Sequence, residues 1–449
     1  MQLRTLLESR TFFAFALATV LASALAQQYL SDHKREYDRN ADFYAYYLAA
    51  QVVHDNPHAD LYSEAMGVNP QGRDAKAGGE IGARAAAAGI HGAMLYLYPP
   101  LLADILAPIS KVPANLAALI WRLFNLALVF LSVQLLARML RVPFLSFEFA
   151  VMTLAAYSFF PISEAIFAGQ ISVVMLALWT VGIVAYSRDR IILSAAAFAL
   201  ATAFKVTPIL IVPLFFIWKD RRWLISYVAF SLGLVAAMVG LNGIHNVTVY
   251  PSVLSAMGGG IPAEANKTLS SLANWVYFGR VFPPEPALAE MPQRPYGLLI
   301  AAKAISGAFY LLCLYLVWRG RLIGRSYRTE AIATFALIIT IASPVSWRHA
   351  YCAVFITLAI FWARALRSSS RSLHTVLLAL TSITVGCVFL DAAANGNLPQ
   401  FCKVLLAGAE IIASVLFCID ALYYIRSDAA DSLARQGGPS SPAGVAVEV

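Results

Sequence analysis

Asp42 sits in Asn40-Ala41-Asp42-Phe43-Tyr44-Ala45-Tyr46-Tyr47, shortly past the end of the first long apolar segment. A carboxylate held among aromatic rings at the headgroup layer can take a proton from a hydroxyl nucleophile. It can equally do no more than cap a short surface helix whose face is aromatic. Lys205 offers a similar choice in Phe204-Lys205-Val206-Thr207-Pro208, where no acidic residue lies within a helical turn. A charge deep in a membrane helix costs about 2.5–3.5 kcal/mol on insertion scales. Near a helix end its stem could simply snorkel to the headgroups. The sharper alternative is an ammonium placed for a phosphate, in a break that Pro208 opens by pushing the residue before it out of the helical region.

A third group is Ser343-Pro344-Val345-Ser346-Trp347-Arg348-His349, a turn between two apolar runs. Arg348 and His349 either anchor that turn at the interface, with Trp347 in an aromatic belt, or they bind phosphate. In the second case Arg348 is a fork-shaped ligand, His349 a second donor and Trp347 a platform for a sugar face. Gln170, after Gly169, puts an amide at the mouth of a helix, and Asn266-Lys267-Thr268 has the form of a glycosylation sequon.

The elements that must position these residues are membrane helices. Of 449 residues 60% are apolar and only 13% charged, against roughly a quarter charged in a soluble domain. Several apolar runs approach the roughly 20 residues that span a hydrocarbon core. They are continuous rather than alternating, which predicts an all-α polytopic membrane protein and excludes a barrel. The net charge of +8 does not point to nucleic acid, because Lys and Arg gather in short loops between apolar runs, as orientation signals do. The five cysteines fall in or beside apolar runs without metal-ligand spacing and read as small core residues.

Arg4 and Arg10 place the N-terminus in the cytoplasm, and further basic clusters mark five more cytoplasmic turns. Honouring them predicts about twelve spans with both termini inside. These run over 11–30, 116–137, 147–161, 170–186, 191–204, 206–218, 223–242, 296–318, 330–343, 349–366, 373–390 and 402–425. The first run carries small-x-small sequences of signal-cleavage form but reads as a membrane anchor. Residues 31–115 form a long external loop, within which the apolar stretch 95–106 lies at the interface or is re-entrant. Residues 243–295 form a second external loop. A single membrane domain thus covers 1–426, and 427–449, rich in Gly, Pro, Ala and Ser, reads as a disordered cytoplasmic tail. In this topology Asp42, Gln170, Lys205, Asn266 and the Trp347-Arg348-His349 turn all fall on the outer side.

No Walker loop, dinucleotide fingerprint, metalloprotease motif or serine elbow occurs. Group-transfer chemistry without a nucleotide site requires a donor already on the outer face, and a lipid-linked donor fits. A transporter or flippase of lipid-linked sugars is the alternative. It would show internal repeats and polar groups at the midplane, whereas here the polar residues gather at one face.

Taken in order, Asp42-Phe43-Tyr44 with Tyr47, Leu61-Tyr62, Tyr98-Pro99-Pro100-Leu101, Gly169-Gln170, Lys205 with Pro208, Arg221-Arg222-Trp223, Asn266 with Leu269, and Ser343-Pro344 with Trp347 and His349 resemble glycosyltransferase family 87. The resemblance spans about residues 35–355. It implies the GT-C fold and a polyprenyl-phosphate-dependent hexosyltransferase of the cell inner membrane, facing the periplasm or exterior; mannose is the family's best-known donor sugar. It further implies an inverting displacement with Asp42 as general base, no metal and no cofactor, and a lipid or glycan acceptor. Lys205, Arg348 and His349 would hold the donor phosphate. Tyr44, Tyr98, Gln170, Asn266 and Trp347 would line the substrate. The chain departs from the family pattern at Thr268, where serine is expected, and in the Ala/Gly-rich loop 63–92, which leaves the acceptor open.

Overall fold

In the computed structural model the described residues are 40–62, 79–90, 94–257, 263, 266–282, 294–320, 324–366, 372–386 and 398–436. The first expected span, 11–30, and positions 437–449 lie outside them. Sixteen α-helices follow one another among the described residues, with isolated bridges but no named strand. They are α1 Ala41–Asp55, α2 Gly79–Ala87, α3 Pro100–Leu106, α4 Ala114–Met139, α5 Phe147–Ser158, α6 Phe160–Ala168, α7 Ser172–Ser187 and α8 Ile191–Phe204. The second half holds α9 Val212–Ile217, α10 Arg221–Met257, α11 Leu269–Phe278, α12 Tyr296–Gly320, α13 Arg325–Ala342, α14 Val354–Ala365, α15 Ser372–Gly386 and α16 Gln400–Gln436.

Helices α4, α10, α12 and α16 are long and apolar enough to cross a membrane, and the pair α5–α6, bent by 55°, makes a fifth. By length, the described residues therefore do not reach the twelve spans expected from the charge pattern. Four further apolar helices have only 10–17 residues. Proline accounts for much of this shortening. Pro208 has no N–H to give the carbonyl of Phe204, and its ring would crowd that carbonyl. α8 accordingly stops at Phe204, Lys205 turns extended (φ −153°, ψ 117°), and a 3-10 turn over Thr207–Ile211 leads into α9. The break lies at Lys205, earlier than the residue before proline. Pro161, near the start of α6, marks the bend after α5 in the same way.

Two stretches read as loop or tail contain helix. Within the Ala/Gly-rich stretch 63–92 the chain forms α2, packed on α1 and tied to it where Arg84 pairs with Asp55 at 2.6 Å. The tail expected to lack order from Ser427 begins instead as the continuation of α16 to Gln436. The stretch 95–106 contains only the seven-residue α3, far short of a span. α3 packs on α1, the adjoining 3-10 turn Ala107–Lys111, and α10.

The core runs continuously from α1 through α4, α7, α8, α13 and α14 to α16. Helices α4, α8 and α10 display large exposed apolar side chains, Leu123, Ile192 and Leu232 among them, as lipid-facing helices do.

Candidate active site

Helix α1 sets the site. Asp42 lies in its first turn, half-exposed, while Phe43, Tyr46 and Tyr47 are buried. A helical period puts Tyr46 four residues on, over the same face as Asp42. Its hydroxyl donates to Gln170 Oε1 at 3.0 Å, and the Tyr98 hydroxyl donates to the same oxygen at 3.0 Å. The two rings meet edge to face at 4.8 Å. Burial first, then the neighbouring tyrosine and Asp42, hold the Tyr46 hydroxyl well above its ordinary value. Burial and Asp42 do the same for Tyr98. Both phenols are therefore fixed donors.

Gly169 allows α1 to come this close. It takes φ +73°, and a Cβ there would lie 2.5 Å from Phe43 Cβ. Its carbonyl accepts from Trp121 Nε1 at 2.7 Å, and the Trp121 ring stacks on Phe43 at 5.8 Å. Three stretches far apart in sequence, 42–46, 98 and 169–170, thus close on one another.

Lys205 completes this region. Asp42 is among the charges that act on its ammonium, and Cys352 is the other group in range. Lys205 lines a small cleft, part of it open to the outside. Ser172, Thr207, Thr340 and Ser346 supply hydroxyls there, and Met175, Trp179, Ile339 and several alanines supply an apolar wall. A cation and hydroxyls beside an apolar wall suit an anionic head on a hydrocarbon tail.

The 343–349 turn borders the same cleft and is splinted by Asn266. Asn266 Oδ1 accepts from the Ser346 N–H at 2.6 Å, its Nδ2 donates to the Pro344 carbonyl at 3.3 Å, and Asn266 bridges Trp347. Arg348 and His349 open the 3-10 turn Arg348–Ala353. The Arg348 guanidinium lies over the Phe160 ring at 5.5 Å and within the field of Glu410. Tyr44 is not turned toward the Tyr46, Tyr98 and Gln170 cluster. It lies on another side of α1, where its hydroxyl meets Asn115 at 3.4 Å.

Four residues escaped the sequence reading. Tyr46 was legible from helical spacing alone. Lys267, Glu164 and Glu410 are buried charges, and a carboxylate inside an apolar run is itself a signal. Lys267 Nζ and Glu410 Oε2 stand 3.4 Å apart, with the Trp275 ring 5.8 Å from the ammonium. Glu164 lies within electrostatic range of both Cys352 and Glu410.

A search of curated proteins finds no match to the chain. A family model described as glycosyltransferase family 87 matches residues 96–344, more than half the chain. The matched stretch carries Tyr98, Gln170, Lys205 and Asn266, while Arg348 lies just past its end and Asp42 well before its start, on elements packed against it. With that match over more than half of a helical chain that carries membrane-length apolar helices, the chain belongs to glycosyltransferase family 87 and is a membrane glycosyltransferase.

Proposed function

We propose that the chain moves a hexose, mannose in the first instance, from a polyprenyl-phosphate donor to a lipid or glycan acceptor. The reaction takes place on the outer face of the cell inner membrane, in a GT-C architecture of about twelve spans. The observation that carries this reading is the Lys205 cleft, a cation and hydroxyls beside an apolar wall, with Asp42 within electrostatic range of that lysine.

The acceptor hydroxyl attacks the anomeric carbon as Asp42 takes its proton. The bond from that carbon to the phosphate oxygen breaks, and polyprenyl phosphate leaves with the electron pair. One base on the face opposite the leaving group makes the displacement inverting. Lys205 meets the charge that develops on the phosphate, with the Ser346 turn beside it. Arg348 and His349 adjoin from that turn as further phosphate donors. Trp347 and Tyr98 flank the sugar, and Gln170 and Asn266 hold the walls. The prenyl chain lies along the apolar side of the cleft and reaches the site laterally from the bilayer. Fixed cations supply the electrostatic work, so the scheme needs no metal or cofactor.

Asp42→Asn tests the assignment in membranes supplied with polyprenyl-phosphate mannose and a lipid acceptor extract. Removing a general base costs about 10²–10⁴ in rate. A folded variant that transfers sugar at the parent rate removes Asp42 from the role.

A further inference from the structure

The long helix α10 is interrupted at Gly243 (φ 72°, ψ 170°), near the outer end of the span in the topology proposed above. Residue 242 just before the break is Asn242, 1% exposed, whose Nδ2 donates to the Asp104 carboxylate of α3. Its other amide atom, Oδ1, is buried and accepts no hydrogen bond. A buried carbonyl oxygen left without a donor costs about 1–3 kcal/mol, so it calls for a ligand. Asp104 itself is only half-buried. Around the break stand Asp60 and His245, paired at 3.2 Å, and His58, whose Nδ1 would lie 3.0 Å from a Cβ at position 243. Asp60 accepts from the Tyr62 N–H at 2.8 Å and pairs with His245, and Asp104 takes the Asn242 amide, so the two carboxylates flank the break from its two sides. The flanking Ile105, Leu241 and Ile244 are exposed and apolar.

We propose that the break at Gly243 is a second binding site, which takes the hydroxyl-rich headgroup of a membrane lipid on Asp104 and the Asn242 amide oxygen. The chemistry of these side chains selects that class. Asp60 is taken by His245 and by the Tyr62 N–H, but Asn242 Oδ1 accepts nothing and Asp104 has a second oxygen besides the one that takes the Asn242 amide, so the ligand must bring donors. Two carboxylates repel a phosphate, whereas a polyol offers neutral donors spaced to meet a carboxylate and an amide together. The exposed Ile105, Leu241 and Ile244 give the lipid's chains an apolar surface beside the headgroup. The site also communicates with the first one. Tyr62 donates to the Tyr98 carbonyl at 2.6 Å, and the Tyr98 hydroxyl reaches Gln170 beside Asp42. That this lipid is the sugar acceptor rests on the proposed transferase reading; the binding site does not.

The full chain in phosphatidylcholine nanodiscs tests this, with n-octyl glucoside as probe and octylphosphocholine and octylamine as controls. In the parent chain, carbodiimide labelling of Asp104, followed by peptide mass mapping, is slowed by octyl glucoside and not by octylphosphocholine. Asp104→Asn, which keeps the shape, weakens octyl glucoside binding about tenfold, as loss of a hydrogen bond to a charged group does. Equal protection by the two lipids, protection by octylamine alone, or no protection overturns the proposal. So does an Asp104→Asn chain that binds the glucoside as the parent does. Because Asp104 labelling is read without sugar transfer, failure of the Asp42 mechanism leaves this result standing by itself.

Discussion

Gly169 carries more of the site than its size suggests. Its positive φ turns the chain so that Gln170 points at Tyr46 and Tyr98, and its bare Cα lets α1 press Phe43 against it. Gly169→Ala fails on both counts. The left-handed backbone alone costs about 1–3 kcal/mol for a residue with a side chain, and the 2.5 Å approach to Phe43 forces α1 outward. A lowered unfolding temperature in nanodiscs, together with loss of sugar transfer beyond what the stability loss explains, is the expected result. An alanine variant with parent stability and rate would show that α1 is not held through this contact.

Asp104 gives a pH-dependent test at the same scale. Burial, partly offset by the bond from Asn242, pushes its carboxyl up to about 6. In the unfolded chain it titrates near 3.9. The folded state therefore holds a proton that the unfolded state has lost, and the stability this contributes is full below pH 4 and gone once pH passes about 6. Thermal unfolding followed from pH 4 to 7 should show the parent losing that increment and Asp104→Asn not losing it. Identical slopes for the two chains would contradict the burial of this carboxyl.

Among elements, the fixed points are α11, α16 and the 343–349 turn, pinned together by Lys267 and Glu410. Both charges are almost wholly buried, with relative exposures of 2% and 8%. The Tyr351 hydroxyl donates to the Lys267 carbonyl, and the Lys267 N–H donates to Ser346 at 3.0 Å. Removing one member of a buried ion pair costs about 3–5 kcal/mol because the other is stranded, while replacing both by apolar residues can be close to neutral. Glu410→Leu alone should thus destabilise far more than Lys267→Met combined with Glu410→Leu. Thermal melts of the two single and the double variant form the cycle that checks it, and additive losses would count against direct pairing.

The helices themselves were largely readable in advance. Residues 191–204 form α8 with the expected limits, and the runs at 116–137 and 296–318 are the bodies of α4 and α12. The breaks were less legible. Hydropathy sees residues 223–242 as a span but not that the helix continues past Gly243 with a kink, because a single positive φ leaves no trace in composition. Glu410 went unremarked because a span was judged by its apolar majority. Its partner Lys267 lies on a different element, more than a hundred residues away, and pairings of that kind are set by packing.

For the whole molecule, the question is which side of the membrane the site faces. Tyr98 bonds to Gln170, Lys205 and Ser346 line one cleft, and Asp42 lies within electrostatic range of Lys205, although the five come from separated stretches. Their common placement at helix ends was visible from basic loops alone, while their contacts needed the fold. Tyr44 and Tyr46 show the limit. Both are aromatic neighbours of Asp42, and only the helical turn decides that Tyr46 joins it while Tyr44 reaches Asn115. The proposed outward orientation can be tested directly. A cysteine at position 75, in the long first loop, should react with a membrane-impermeant maleimide from outside intact cells. The native background is favourable, since Cys313, Cys352 and Cys418 are buried and Cys402 half-buried, although replacing Cys387 as well gives a cleaner reading. The lipid-linked donor scheme requires the site to open where the polyprenyl-phosphate sugar is presented, so the label should come from the same side as the donor. Labelling only after the membrane is permeabilised would turn the loop, Asp42 and the cleft to the cytoplasm, and the proposed outer-face reaction would fall with it.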